Sequence, residues 1–176
     1  MLKILHYPDK ILHQPCRVVE KVDQSIVRLV SQMIEIVNAE EALGLAAVQI
    51  GVMKRVLVYP TIEYKEDPKN KDNSNYFEVK QLHAIINPEI ISEKGTAAKA
   101  EACLSVPDFE ISIKRATTIV VKGLTVEGKS IELTLHDMEA RVMQHEVDHL
   151  NGVLIIDRAS ILKRSLYTKK RENSKI

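Results

Sequence analysis

Two histidines four residues apart with a glutamate between them, in His145-Glu146-Val147-Asp148-His149, carry the strongest chemical signal in the chain. On a helix such residues rise about 6 Å and share a face, so both imidazoles can reach one metal ion. A glutamate beside the first ligand then holds and deprotonates a water on that ion, the arrangement of metal-assisted hydrolysis. Read blandly, they are two of six histidines and one solvated carboxylate.

A catalytic ion of this kind takes three protein ligands and leaves a position for water. Downstream supply is poor. The longer pattern H-E-x-x-H-x-x-G-x-x-H is met at Gly152 but ends on Ile155, and the one later glutamate is Glu172. Asp157, eight residues past His149, stays open as an acidic ligand. Upstream, Cys103 lies among β-prone segments. A lone free cysteine is usually buried packing, but beside a two-histidine helix that lacks a ligand, a thiolate donor becomes the better reading. Cys16, next to Arg17, has no such context and reads as packing.

These side chains must be positioned by a single core, the scale expected for 176 residues of which 45% are hydrophobic. After Asp23, a helix N-cap, Ile26, Val30, Met33 and Val37 mark an amphipathic helix ending near Asn38. The apolar stretch 42–51 reads as buried loop or strand, 54–60 as a strand, and the polar stretch 61–80 as an exposed loop. Short β-prone segments follow to Leu135, with Gly95, Gly123 and Gly128 as turns. Asp137 then caps a helix over 138–151 that carries both histidines, and Gly152 supplies its left-handed terminator. The expected fold is α+β: short, mainly antiparallel strands packed around a central helix bearing H-E-x-x-H, with an N-terminal amphipathic helix. Residues 1–162 form the catalytic domain in this reading. Residues 163–176, with six basic side chains against one acidic, form a solvated tail, frayed or helical.

Composition narrows the function further. A net charge of +1 and only two Phe, five Tyr and no Trp disfavour general nucleic-acid binding. Two cysteines cannot build a disulfide framework. The first ten residues lack the apolar core of a signal peptide, and no run approaches the roughly 20 apolar residues of a membrane span. A cytoplasmic protein with no membrane partner is expected.

Three motifs in order resemble those of the peptide deformylases. Gln144-His145-Glu146-Val147-Asp148-His149-Leu150-Asn151-Gly152 matches the family's Q-H-E-x-D-H-L-x-G in full. Ala42-Leu43-Gly44-Leu45-Ala46-Ala47-Val48-Gln49 and Glu101-Ala102-Cys103-Leu104-Ser105 match the other two, each with its first Gly replaced by Ala. The resemblance spans about residues 1–160. It implies a metal-dependent hydrolase that removes the N-formyl group from the initiator formylmethionine of nascent polypeptides and releases formate. Its metal would be one divalent ion, Fe(II), with Zn, Ni or Co able to take the same site, held by Cys103, His145 and His149. Glu146 would move the proton, and the Gln49 amide and the Leu104 backbone N–H would stabilise the oxyanion. Backbone at Leu43 and Gly44 would pair with an extended formyl-Met peptide or nascent-chain N-terminus, and Ala102 lies where substrate passes. By helical spacing Met138 and Val142 share the ligands' face, as wall of a methionine pocket or as core.

Two other readings compete. A zinc endopeptidase shares the helix motif but needs another third ligand such as Asp157. A non-catalytic relative would bind chain termini, or the ribosome through the basic tail, and would leave Glu146 without a role.

Overall fold

The computed structural model describes residues 3–65 and 76–173. Asp23 accepts hydrogen bonds from the Ser25 and Ile26 amides and starts helix α1 (Gln24–Ala39), whose buried stripe Ile26, Val30, Met33 and Val37 is the expected one. At its end Glu41 takes a left-handed conformation (φ 50°), and the Ala42 amide donates to the Val37 carbonyl at 3.0 Å. Glycine usually fills that position because it has no Cβ.

Seven strands follow or flank the motifs: β1 (Leu45–Ala46), β2 (Val56–Lys65), β3 (Tyr76–Lys94), β4 (Ala97–Cys103), β5 (Val106–Arg115), β6 (Thr118–Leu124) and β7 (Ser130–His136). A five-stranded antiparallel sheet has the order β1-β2-β3-β6-β7, and β4 and β5 form a separate hairpin. Helix α2 (Asp137–Leu150) carries the histidines, and α3 (Ile161–Asn173) closes the described chain. The fold is α+β, with strands around the H-E-x-x-H helix.

Alternation along β2 explains why the large sheet sits between two helices. Val56 and Val58 pack with α1, whereas Leu57 and Tyr59 pack with the Ala140, Met143, Val147 and Leu150 side of α2. Successive side chains of a strand point to opposite faces, so a run buried throughout requires cover on both. Ile85 and Ile86 divide in the same way.

Three expectations are corrected. The polar stretch 61–80 is not a loop at its two ends: β2 and β3 pair as far as Lys65 opposite Tyr76, aided by the Lys65–Glu78 and Lys80–Glu63 ion pairs. Its middle, 66–75, lies outside the described residues. Gly123 is not a turn but stands within β6, where an added Cβ would meet Ile85 Cγ1 at 2.5 Å. Asp137 does not cap α2 with its side chain. It is the first helical residue, at φ 45°, after the N-cap His136. Strand β2 takes over that role: the Tyr64 hydroxyl accepts from the Met138 amide (3.2 Å), and Glu139 ties the helix start to β2 by accepting from the Ile62 amide (2.8 Å). Gly95, Gly128 and Gly152 do adopt positive φ.

Helix α3 begins at Ile161 and is docked rather than wholly solvated. Tyr167 is buried, donates to the Pro107 carbonyl at 2.7 Å and meets Phe109 edge-on at 5.0 Å. Ile161, Leu162 and Leu166 point outward. Among the described residues no helix is long and apolar enough to cross a membrane.

Candidate metal centre and active site

His145 and His149 lie one turn apart on α2 with ring centroids 5.0 Å apart, and Cys103 reaches them from the end of β4. One donor atom from each falls within 4.8 Å of the other two. Cys103 Sγ is 3.2 Å from His149 Nε2. Asp157 belongs elsewhere, accepting from the Leu154 amide and pairing with His13 at 3.3 Å. The third donor is therefore the thiol. A soft sulfur with two imidazoles suits zinc or iron. Of the buried polar atoms that lack a partner among the described residues, two belong to this site, His149 Nδ1 and Glu146 Oε2. Groups of this kind call for a missing ion, water or ligand.

A buried charge network orients the ligands. Glu101 is 3.0 Å from His145 Nδ1 and accepts from Arg115 at 2.8 and 2.9 Å and from Arg141 at 2.6 Å. An ionised carboxylate only accepts, so Nδ1 carries the hydrogen and Nε2 faces the other ligands. Burial works against the Glu101 charge, but Arg115 and His145 hold its carboxyl well below the usual carboxylate range. Arg115 also donates to Asp148 at 2.7 Å, which receives Arg158 from the surface. On His145, burial opposes the charged ring, yet the bonds to Cys103 and Glu101 prevail and raise it to about 10. His149 is driven well below its ordinary value by burial and by the charge on His145.

Glu146 is only 4% exposed. Burial pushes its carboxyl up to about 7 against the attraction of His145 and Arg115. Gln49 enters from a short 3-10 turn, Ala47–Ile50, in which Oε1 accepts from the Ala46 amide at 2.7 Å. Its Nε2 donates to Ser105 Oγ at 3.2 Å and lies 3.8 Å from Cys103 Sγ. Gln144 clamps α2 to the link between β5 and β6 through both the amide and the carbonyl of Ala116, each at 3.0 Å.

A cavity of about 1140 Å³ joins these groups. Cys103, Leu104, Gln49, His145 and Glu146 line it. So do Leu43, Gly44, Ala102, Met138 and Val142, the residues expected to face substrate. His149 sits behind them, 1% exposed. Gly44 is required by the space: a Cβ there would lie 2.9 Å from both Glu146 Oε1 and Val142 Cγ1.

Sequence reasoning missed Arg115, Arg141 and Asp148, and the ligand-orienting role of Glu101. Arg141 carried a readable signal, since it lies four residues before His145 on the same helical face. Arg115 carried none, because only the tertiary fold brings β5 beside α2.

A family model described as polypeptide deformylase matches residues 1–165. The peptide deformylase of Thermodesulfovibrio yellowstonii is 38% identical over 175 residues, covering 99% of each chain. The crystal structure of the Ehrlichia chaffeensis peptide deformylase is 37% identical and superimposes with a TM-score of 0.85, covering 100% of this chain and 97% of that one. A class I type b peptide deformylase from Acinetobacter baumannii, solved with Met-Ala-Ser bound, is 29% identical with a TM-score of 0.78 over 90% of this chain and 98% of that one. Sequence, fold and the Cys-His-His cluster agree: this chain belongs to the peptide deformylases, metal-dependent hydrolases that remove N-formyl groups from nascent chains.

Proposed function

We propose that Cys103, His145 and His149 hold one divalent ion, Fe(II) with Zn, Ni or Co as substitutes, and that Glu146 moves the proton. The observation that carries this is the meeting, in one cavity, of three donor atoms within 4.8 Å and a buried carboxylate with a free oxygen. When bound, the ion supplies Lewis acidity, making a water acidic near neutral pH. Glu146 takes that water's proton as the oxygen attacks the formyl carbon. The Gln49 Nε2–H and the Leu104 N–H stabilise the negative oxygen that develops, each worth about a hundredfold to a thousandfold in turnover. Glu146 then gives the proton to the amine nitrogen as the C–N bond breaks, and formate and a free N-terminus leave.

Backbone at Leu43 and Gly44 pairs with the extended substrate, and Val142 with Met138 forms the wall against the methionine side chain. Binding of Met-Ala-Ser by the Acinetobacter baumannii relative supports a peptide beginning with methionine. The test is anaerobic purification followed by formate release from formyl-Met peptides. Wild type is expected to release formate and Glu146→Ala to lose at least about a hundredfold; no release by wild type overturns the assignment. If iron is the native ion, peroxide inactivates the enzyme, whereas indifference to peroxide points to zinc.

Catalysis is assigned to residues 1–162, in the cytoplasm. The basic stretch 163–176 is assigned to contact with the ribosome, supported by its charge and by the outward Leu166. Co-sedimentation with ribosomes that survives deletion of 163–176 would remove this assignment.

A further inference from the structure

Cys103 and Leu104 stand where β4 turns into β5, and that hairpin pairs with no strand of the large sheet. A two-stranded hairpin is marginal by itself, so its position must come from what packs on it. The N-terminal segment supplies one hold. The Leu5 amide donates to the Gln49 carbonyl at 2.7 Å, and the Tyr7 amide donates to the Ser105 carbonyl at 2.8 Å. One short run of chain thus spans the two residues, Gln49 and Ser105, whose side chains meet at 3.2 Å. Helix α3 supplies the other hold. Tyr167, which donates to the Pro107 carbonyl, lies in the same buried apolar cluster as Cys103, Val106 and Phe109. One turn earlier, Lys163 donates to the Glu110 carbonyl at 2.6 Å and sits 5.0 Å over the Phe109 ring. The two holds are joined through Tyr7, whose hydroxyl is 3.0 Å from Thr168 Oγ1 and whose ring is 6.0 Å from that of Tyr167. Among the described residues neither tyrosine lines the cavity.

We propose that Tyr7 and Tyr167 are positioning residues for the reaction: they hold the Leu104–Ser105 turn against Gln49, so that the two donors assigned to the oxyanion converge on one point. This rests on the deformylase reading and on its oxyanion assignment. The formyl oxygen becomes negative only as its carbon is attacked, so the alignment of its donors acts on the transition state and leaves substrate binding alone. A misplacement of about 1 Å costs about a hundredfold, and smaller slackening costs less. Loosening this turn therefore lowers kcat and spares KM. Helix α3 braces the site from behind, although no residue of it reaches the substrate cavity among those described.

The test is steady-state formate release from formyl-Met-Ala-Ser by the metal-loaded full chain. Tyr7→Phe with Tyr167→Phe keeps both rings and removes only the hydroxyl bonds to Thr168 and Pro107. In that double variant kcat is expected to fall about tenfold, with KM within about twofold of wild type. Elemental analysis should find its metal content unchanged. Introduced into Gln49→Ala, the same two changes should cost less than about twofold, because with one donor left there is no convergence to lose. Wild-type kcat in the double variant, a loss carried by KM, or a loss of metal overturns the proposal. So does a loss of equal size with and without Gln49, which is what a merely structural role gives. Failure of the deformylase reading looks different: the wild type itself releases no formate.

Discussion

The Glu101 carboxylate accepts from His145 Nδ1 at 3.0 Å while two arginines, Arg115 and Arg141, hold the same carboxylate from other sides. A metal ligand is thereby fixed by a charge that is itself fixed from outside the site. Removing that charge leaves the buried Arg141 guanidinium with only the Ile113 and Ala97 carbonyls and leaves Arg115 to Asp148 alone, at a cost of about 3–5 kcal/mol.

Glu101→Gln should therefore destabilise the protein by roughly that amount at neutral pH. The folded-state value of Glu101 is depressed, so its contribution is fully present above the unfolded value of about 4.3 and drains away as pH falls through the folded value. Urea unfolding of both proteins between pH 7 and pH 2 should show the gap closing only on the acid side. A gap that is constant with pH would mean that the loss is steric.

Cys103→Ala is expected to abolish stoichiometric metal, and Asp157→Asn to leave it in place, because the Cys103 sulfur lies within 4.8 Å of both imidazoles whereas Asp157 is engaged with Leu154 and His13. Elemental analysis of the purified variants decides it. Metal retained by Cys103→Ala would return the third ligand to a carboxylate.

At Gly44, substitution by Ala drives a methyl into Glu146 and Val142. Displacing the proton-transfer group by even about 1 Å costs about a hundredfold. The expected outcome is that loss in kcat/KM with about 1–3 kcal/mol of destabilisation from overpacking. Wild-type kinetics in Gly44→Ala would show that the carboxylate has room to move.

Glu41→Gly should stabilise the fold by about 0.5–1 kcal/mol, the left-handed strain relieved less the entropy that glycine adds to the unfolded chain. Thermal melts at matched metal content read the change. A lower melting temperature would mean that the Glu41 side chain contributes stability that outweighs its backbone strain.

What was legible beforehand follows the range of the interactions. The α1 stripe and the His145–His149 pair are local periodicities, so they could be read directly from residue spacing. Cys103 needed the reasoning that a two-histidine helix lacks a ligand. Residues 61–65 and 76–80 read as loop because their strands pair through ion pairs and ladder bonds in a polar stretch, where hydrophobic alternation is weak. Arg115 bridges Glu101 and Asp148 across β5 and α2, a meeting that no spacing along the chain encodes.

The anchoring of Gln49 has a consequence of its own. Amide side chains can ordinarily swap ends, but here the Ala46 N–H demands an oxygen. The amide is consequently polarised one way, with only hydrogens toward the thiol. An inhibitor that presents a carbonyl or hydroxamate oxygen there meets a ready partner, whereas one that presents N–H confronts a second donor head-on.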